Sequence, residues 1–234
     1  VILKEEHPLR LVCLSDIHSN FERYRPENLP DADACIVAGD LTESGLYLPH
    51  EVRRARKWLH SLCERYPRVW YIFGNHDILM TEQDITPPGT EQNSLHYLQP
   101  QQLVQWSEYG LRIVGANLST CFDKPEIARM WRDMTPDPEV DAAYFNALPA
   151  ADIVVSHCPP FEACDKVGPL CHPQTGEPVD LHIGSPGLRR YIERNRPRLV
   201  VCGHVHECGG EEAWIGATRV VNAAQRVIVV EIGA

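Results

Sequence analysis

The chain has 234 residues, with 22 Lys and Arg against 32 Asp and Glu for a formal charge of −10; 44% of it is hydrophobic and 23% charged. That composition suits one sizeable globular core and excludes a disordered tail, and the length is short for several independent units, so residues 1–234 are read as a single domain. The acid excess disfavours a protein that grips nucleic acid mainly by neutralising phosphates. No apolar run approaches the roughly 18 residues that span a bilayer, and no charged-then-apolar leader opens the chain, so no membrane attachment is expected.

Nine cysteines form no CxxC pair and no repeated framework, which argues against a disulfide scaffold and for a reducing, cytoplasmic setting. Cys13, Cys35 and Cys202 lie inside apolar runs and read as small buried hydrophobes.

In chain order, five short apolar runs rich in β-branched residues predict buried strands: Leu9 to Ser15, Ala34 to Ala38, Val69 to Phe73, Ile153 to Ser156 and Leu199 to Cys202. Between the second and third, Val52, Ala55, Trp58, Leu59, Leu62, Cys63 and Tyr66 recur at helical spacing. Arg53, Arg54, Arg56 and Lys57 fill the other side, which predicts an amphipathic helix from Pro49 to Tyr66 with a solvated basic face. Ile78 to Gln105 and Cys158 to Gly184 lack a period and read as long loops. Leu111 to Ala116, together with the terminal runs at 214–216, 219–222 and 227–231, reads as a meander added to a second sheet. A further helix is expected from Ser185 to Asn195. Alternating strands and helices give an α/β fold, with two mixed sheets packed face to face and helices outside as a four-layer sandwich. Trp58, Trp70 and Tyr71 fall at core spacing.

What ends each buried run carries the chemistry. The five runs terminate in Asp16-x-His18, Gly39-Asp40, Gly74-Asn75-His76-Asp77, His157 and Gly203-His204-x-His206. Loops at the carboxyl ends of strands can converge while the sheet beneath stays rigid. In extended backbone, residues i and i+2 face the same way, so Asp16 with His18, and His204 with His206, can each aim two donors at one cavity. Carboxylate, imidazole and Asn donors suit Mn, Fe or Zn, and two such ions are expected. Cys158, Cys202 and Cys208 stand nearby without being needed as ligands. A lone His or Asp at a strand end is usually a cap or surface group; seven at five strand ends reverse that reading.

These five blocks, in this order, resemble the signature of the calcineurin-like metallophosphoesterase superfamily. The resemblance implies that Asp16, His18 and His206 hold one metal and Asn75, His157 and His204 the other, with Asp40 bridging. It implies that His76 faces the scissile phosphate without binding metal. Local matches around Gly39 to Gly45, His182 to Ser185 and Gly203 to Glu207 are similar to the subfamily of metallophosphoesterase-domain proteins and class III cyclic-nucleotide phosphodiesterases. The chain departs from the Ser/Thr phosphatases of the superfamily, whose second block is Gly-Asp-x-x-Asp-Arg-Gly. Here it lacks the Arg, and Glu43 stands where their second Asp does.

The expected activity is therefore hydrolysis of small phosphodiesters, by in-line attack of a hydroxide shared by two ions about 3.5–4 Å apart. Asn75 and His76 meet the phosphoryl group, and His76 gives a proton to the leaving oxygen. Glu43 is expected to hydrogen-bond His76 and keep it protonated. Asp77 reads as a hydrogen-bond acceptor bracing the loop. Among the remaining histidines, His182 is the one whose loop could reach the cleft, and Asn20 either touches substrate or caps the next helix. Three alternatives stay open: a phosphomonoesterase or nucleotidase, a nuclease of the same superfamily, or a metal-binding scaffold without catalysis.

Overall fold

Alternate side chains along each central strand enter different cores, and that alternation builds the layers. The computed structural model describes residues 8–43, 47–90, 93–121, 125–128, 130–171 and 178–233. Its elements run β1 (Leu9–Leu14), β2 (Ala34–Ala38), α1 (Pro49–Leu62), β3 (Val69–Ile72), α2 (Glu82–Ile85), β4 (Leu95–Tyr97), β5 (Leu103–Trp106) and β6 (Leu111–Ala116). There follow β7 (Ser119–Thr120), α3 (Pro125–Ala128), β8 (Met134–Thr135), α4 (Pro138–Ala147), β9 (Ile153–Ser156), β10 (Lys166–Cys171), β11 (Pro178–His182) and α5 (Pro186–Asn195). The last are β12 (Leu199–Cys202), β13 (Glu212–Ile215), β14 (Thr218–Asn222) and β15 (Ile228–Ile232).

One sheet has the order β15-β1-β2-β3-β4 and the other β13-β14-β12-β9-β6-β5, with two smaller pairs, β10-β11 and β7-β8. From β1, Leu9, Leu11 and Cys13 face the other sheet, where they join Ile153, Val155, Leu199 and Val201. Val12 and Leu14 point outward into a core completed by Val52, Ala55, Trp58, Leu59 and Leu62 of α1. On the far side, Val154, Val200 and Cys202 pack with Phe145 of α4 and Leu188, Tyr191 and Ile192 of α5. The result is the expected sandwich of helix, sheet, sheet and helix. Trp58, Trp70 and Tyr71 are all buried.

The parallel pairs β1-β2, β2-β3, β6-β9 and β9-β12 align the carboxyl ends of these strands within each sheet. Helix α1 starts with Pro49 at its first position and ends at Leu62, one turn short of the expected Tyr66. Ser185 caps α5, its Oγ accepting from the Leu188 amide at 2.8 Å.

Three expectations fail. The 78–105 segment contains α2, β4 and the start of β5, short elements whose partners lie elsewhere in the chain and which show no periodicity of their own. The 158–184 segment carries the antiparallel pair β10-β11, whose strands bond each other with a break in register between Val167 and Leu170 that interrupts any alternation. The last strand, β15, does not extend the second sheet. It pairs antiparallel with β1 in the first, Leu9 opposite Ile232 and Cys13 opposite Ile228. A strand's apolar pattern does not say which edge it will cover. The helix α4, which no apolar period announces, is started by Asp137, whose carboxylate accepts from the Glu139 amide at 2.8 Å.

Candidate metal centre

Several of the expected ligands are held by unusual backbone. Asp16, His18, Asp40 and His204 have φ of 56°, 47°, 52° and 69°, the left-handed region that costs a non-glycine residue free energy and gathers at functional sites. Each follows closely on a parallel strand, so the chain turns sharply enough to throw the side chain across the strand end. Two glycines make the crossing possible. A Cβ on Gly74 would lie 2.2 Å from Asp40 Oδ1, and one on Gly39, itself at φ +96°, would lie 2.7 Å from the Gly74 nitrogen.

The side chains converge in two groups sharing one carboxylate. Asp16 Oδ1 lies 3.1 Å from His206 Nε2 and 3.7 Å from His18 Nε2, and the two imidazole nitrogens are 3.2 Å apart. Across the cleft, His157 Nε2 lies 3.0 Å from Asn75 Oδ1. The His157 and His204 ring centroids are 5.2 Å apart. Asp40 Oδ2 sits between the groups, 3.8 Å from His18 Nε2 and 3.3 Å from His157 Nε2. Its other oxygen accepts from the His76 amide at 2.7 Å. The Asp16, His18, Asp40, Asn75, His157 and His206 side chains therefore converge, and the His204 ring lies beside that of His157.

Hydrogen bonds aim the donors. His157 Nδ1 donates to the Ala38 carbonyl at 2.8 Å, which fixes the tautomer and leaves Nε2 as the donor facing Asp40 and Asn75. Asp16 Oδ2 accepts from the His204 amide at 2.9 Å, tying the ends of β1 and β12 together. Asp77 is fully buried and accepts from the Gly74, Leu41 and Thr42 amides and the Thr42 hydroxyl at 2.9–3.2 Å. It has the bracing arrangement expected for it.

The donor set fits divalent cations. Asp16 and Asp40 are 1% and 2% exposed, yet among the described residues no Lys or Arg side chain bonds to either. Burial works against the Asp16 charge, but the facing His18 and His206 imidazoles hold it well below the usual carboxylate range. Burial likewise opposes a charge on His157, and the Asp40 carboxylate overcomes it, carrying the imidazole up to about 10. For His204, burial and the neighbouring His157 push the imidazole down to about 4, leaving a neutral ring with a lone pair to offer. Buried anions that draw positive charge onto imidazoles suit a bound cation equally well. Three groups gather ligand atoms within 4.8 Å: Asp16, His18 and His206; Asp16, Asp40 and His157; and His18, Asp40 and His76.

The geometry corrects one expectation. The Glu43 carboxylate does not reach His76; it pairs with His18 Nδ1 at 3.1 Å. His76 Nδ1 donates instead to the Glu43 main-chain carbonyl at 2.9 Å. The short loop after Asp40 brings the backbone of Glu43, not its side chain, over the imidazole. His182 makes no contact with the seven ligands: its Nδ1 bonds the buried Asp165 carboxylate at 2.6 Å. Asn20 is exposed ahead of the short helix Phe21–Tyr24 and makes no side-chain cap there. The neighbouring thiols are occupied elsewhere. Cys158 and Cys208, both pushed up to about 12 by burial, donate to the Pro159 and Lys166 carbonyls, and Cys202 donates to that of Val221.

Sequence reasoning missed Trp131 and Arg132. The Trp131 indole stacks on His76 with ring centroids 4.3 Å apart. The Arg132 amide donates to the Asn75 carbonyl, and its guanidinium donates to the carbonyls of Asp77 and Met80. The one signal available was a Trp set among Arg129, Arg132 and Asp133, apart from the apolar runs that predict the strands.

A sandwich of two sheets with carboxylate, imidazole and amide donors gathered at its strand ends defines a metallophosphoesterase fold. The calcineurin-like phosphoesterase family matches residues 9–208, and the chain belongs to it. It is 31% identical, over 236 aligned positions, to metallophosphoesterase domain-containing protein 1 of Homo sapiens and of Mus musculus. These matches cover 92% of this chain and 65% of each relative, so the chain spans a little under two thirds of their length. Among solved structures, TT1561 of Thermus thermophilus has the same fold, with a TM-score of 0.61 at 15% sequence identity over 96% of this chain and 99% of that one.

Proposed function

We propose that the chain is a metal-dependent phosphodiesterase acting on small diesters, cyclic nucleotides or similar compounds, with two ions of Mn, Fe or Zn. The observation that carries this reading is the position of Asp40 Oδ2 between the Asp16–His18–His206 group and the Asn75–His157 group. One set would hold an ion with Asp16, His18 and His206, the other with Asn75, His157 and His204, and Asp40 would belong to both. When bound, such a pair supplies a water acidic enough to attack phosphorus and charge to meet the phosphoryl oxygens.

The chain's own residues do the rest. The Asn75 amide is directed at a phosphoryl oxygen as negative charge grows there. His76 is anchored through Nδ1 by the Glu43 carbonyl, so its other nitrogen is free to deliver a proton to the leaving oxygen. A diester is favoured over a monoester because, among the described residues, no Lys or Arg side chain bonds to any of the seven ligands or to His76. Among the described residues, the ligands and His76 thus bring no bonded cationic side chain to meet the second terminal charge of a monoester. The overall acidity, −10, favours a small substrate over nucleic acid.

The deciding experiment compares bis-p-nitrophenyl phosphate with p-nitrophenyl phosphate in Mn, then after chelation. The reading expects the diester to be the faster substrate and both rates to vanish with chelator. A faster monoester would make the chain a phosphomonoesterase, and Mn binding without turnover of any ester would make it a scaffold.

A further inference from the structure

We propose that Trp131 is a specificity-determining residue of this site: it forms an aromatic wall that receives the leaving group, and the substrates it selects carry a flat ring on the departing alcohol. The inference rests on the hydrolase reading given above, in which His76 protonates the leaving oxygen. Whatever is attached to that oxygen must leave past His76. Among the described residues two rings pack on His76: His18, an expected metal ligand, edge-on at 4.7 Å, and the Trp131 indole, 4.3 Å between centroids and inclined by 35°.

Trp131 is not a core residue. Trp58, Trp70 and Trp106 are buried, with Trp58 and Trp70 in the cores on either face of the first sheet. Trp131 is half-buried and belongs to none of the hydrophobic clusters. Two residues close to it along the chain or along the Arg132 hydrogen bonds are exposed and apolar. Met130, beside it in sequence, is 74% exposed, and Leu79, three residues after His76, is 73% exposed. An aromatic face held beside the polar groups of a cleft, outside any core, is a usual mark of ligand contact.

The wall is also fixed in place. The Arg132 amide donates to the Asn75 carbonyl at 3.3 Å, and its guanidinium donates to the Asp77 carbonyl at 3.0 Å and to the Met80 carbonyl. The same guanidinium lies 4.7 Å from the centre of the Phe73 ring. Trp131 is thus clamped to the backbone that carries Asn75 and His76, and a pre-positioned aromatic face offers a ring area to stack on with little left to order.

The test uses two pairs of methyl phosphodiesters with wild type, Trp131→Ala and Trp131→Phe, all in Mn. One pair sets an aryl leaving group against a fluoroalkyl group of matched acidity, and the other sets a nucleoside 5′-methyl phosphate against its abasic counterpart. Stacking of a ring on an aromatic side chain predicts that Trp131→Ala loses about tenfold in kcat/KM on the aromatic member of at least one pair. The non-aromatic members should change less than about twofold, and Trp131→Phe should recover most of the loss. The pair that responds identifies an aryl or a nucleobase substrate. Equal losses on aromatic and non-aromatic members would overturn the inference and leave Trp131 as a support for His76. Saturation-transfer NMR of 4-chlorophenol and of a nucleoside on the metal-free chain gives a second readout: wild type should saturate at least one ring, and Trp131→Ala should not. If wild type hydrolysed no ester but bound a ring through Trp131, the hydrolase reading would fail and the ring site would stand. If it hydrolysed diesters but bound neither ring, the reverse would hold.

Discussion

Replacing Asp77 by Asn tests whether the loops carrying Asp40 and His76 depend on one buried carboxylate. Each oxygen of Asp77 serves two donors: Oδ1 accepts from the Thr42 amide at 3.0 Å and the Thr42 hydroxyl at 3.1 Å, and Oδ2 from the Gly74 amide at 2.9 Å and the Leu41 amide at 3.2 Å. Asn has the same shape but one acceptor oxygen, so its NH2 replaces the acceptor either of the Gly74 and Leu41 amides or of the Thr42 amide and hydroxyl, the hydroxyl also lying 3.1 Å from the His76 carbonyl. Loss of two hydrogen bonds to a charged acceptor costs about 3–6 kcal/mol before compensation. Part of this is returned, because burial and the nearby Asp40 charge both push the Asp77 carboxyl upward, and the amide removes that penalty. The net expectation is about 2–4 kcal/mol of lost stability. Urea unfolding of the metal-free chain at neutral pH, followed by circular dichroism, measures it. Mn titration calorimetry should show weaker binding as well, since Asp40 lies between Leu41 and the Gly74 backbone. A change below about 0.5 kcal/mol with unaltered Mn affinity would refute the bracing argument.

Three further outcomes are expected. Each Mn ion, at a hundred times its own dissociation constant, should stabilise the chain by about 2.7 kcal/mol, and Asp40→Asn should weaken both binding events in calorimetry; weakening of only one would show that Asp40 is not shared. His76→Ala should slow diesters with poor leaving groups more than p-nitrophenyl diesters, which need no proton, whereas Glu43→Gln, which spares the main-chain carbonyl, should leave that ratio within about twofold. Asp152, held low by hydrogen bonds from Arg112 at 2.8–3.3 Å, has a folded pKa below its unfolded one. Its contribution is present above about pH 4 and fades as pH falls through the folded value. Asp152→Asn should therefore cost about 0.5 kcal/mol at pH 7 and progressively less as pH falls below about 4; an unchanging cost across that range would sink the assignment.

The central strands, α1, α5 and the identity of the donors were legible in the sequence for local reasons. A run such as Leu199 to Cys202 is apolar because both its faces are buried, and α1 shows its stripe because one face meets a sheet. The block Gly74-Asn75-His76-Asp77 needs its glycine because the Asp40 carboxylate occupies the space of a Cβ, and that need is written at a single position. Tertiary structure alone decided the rest. β15 pairs with β1 rather than with its chain neighbours because edge pairing depends on which strand lies open in space. Glu43 turns its carboxylate to His18 and its carbonyl to His76 because the loop after Asp40 sets the direction of both. Trp131 reaches His76 from 55 positions away, held there by Arg132 bonds to main-chain carbonyls. Such bonds require no particular side chain on the accepting residues and so leave no pattern in the amino-acid order.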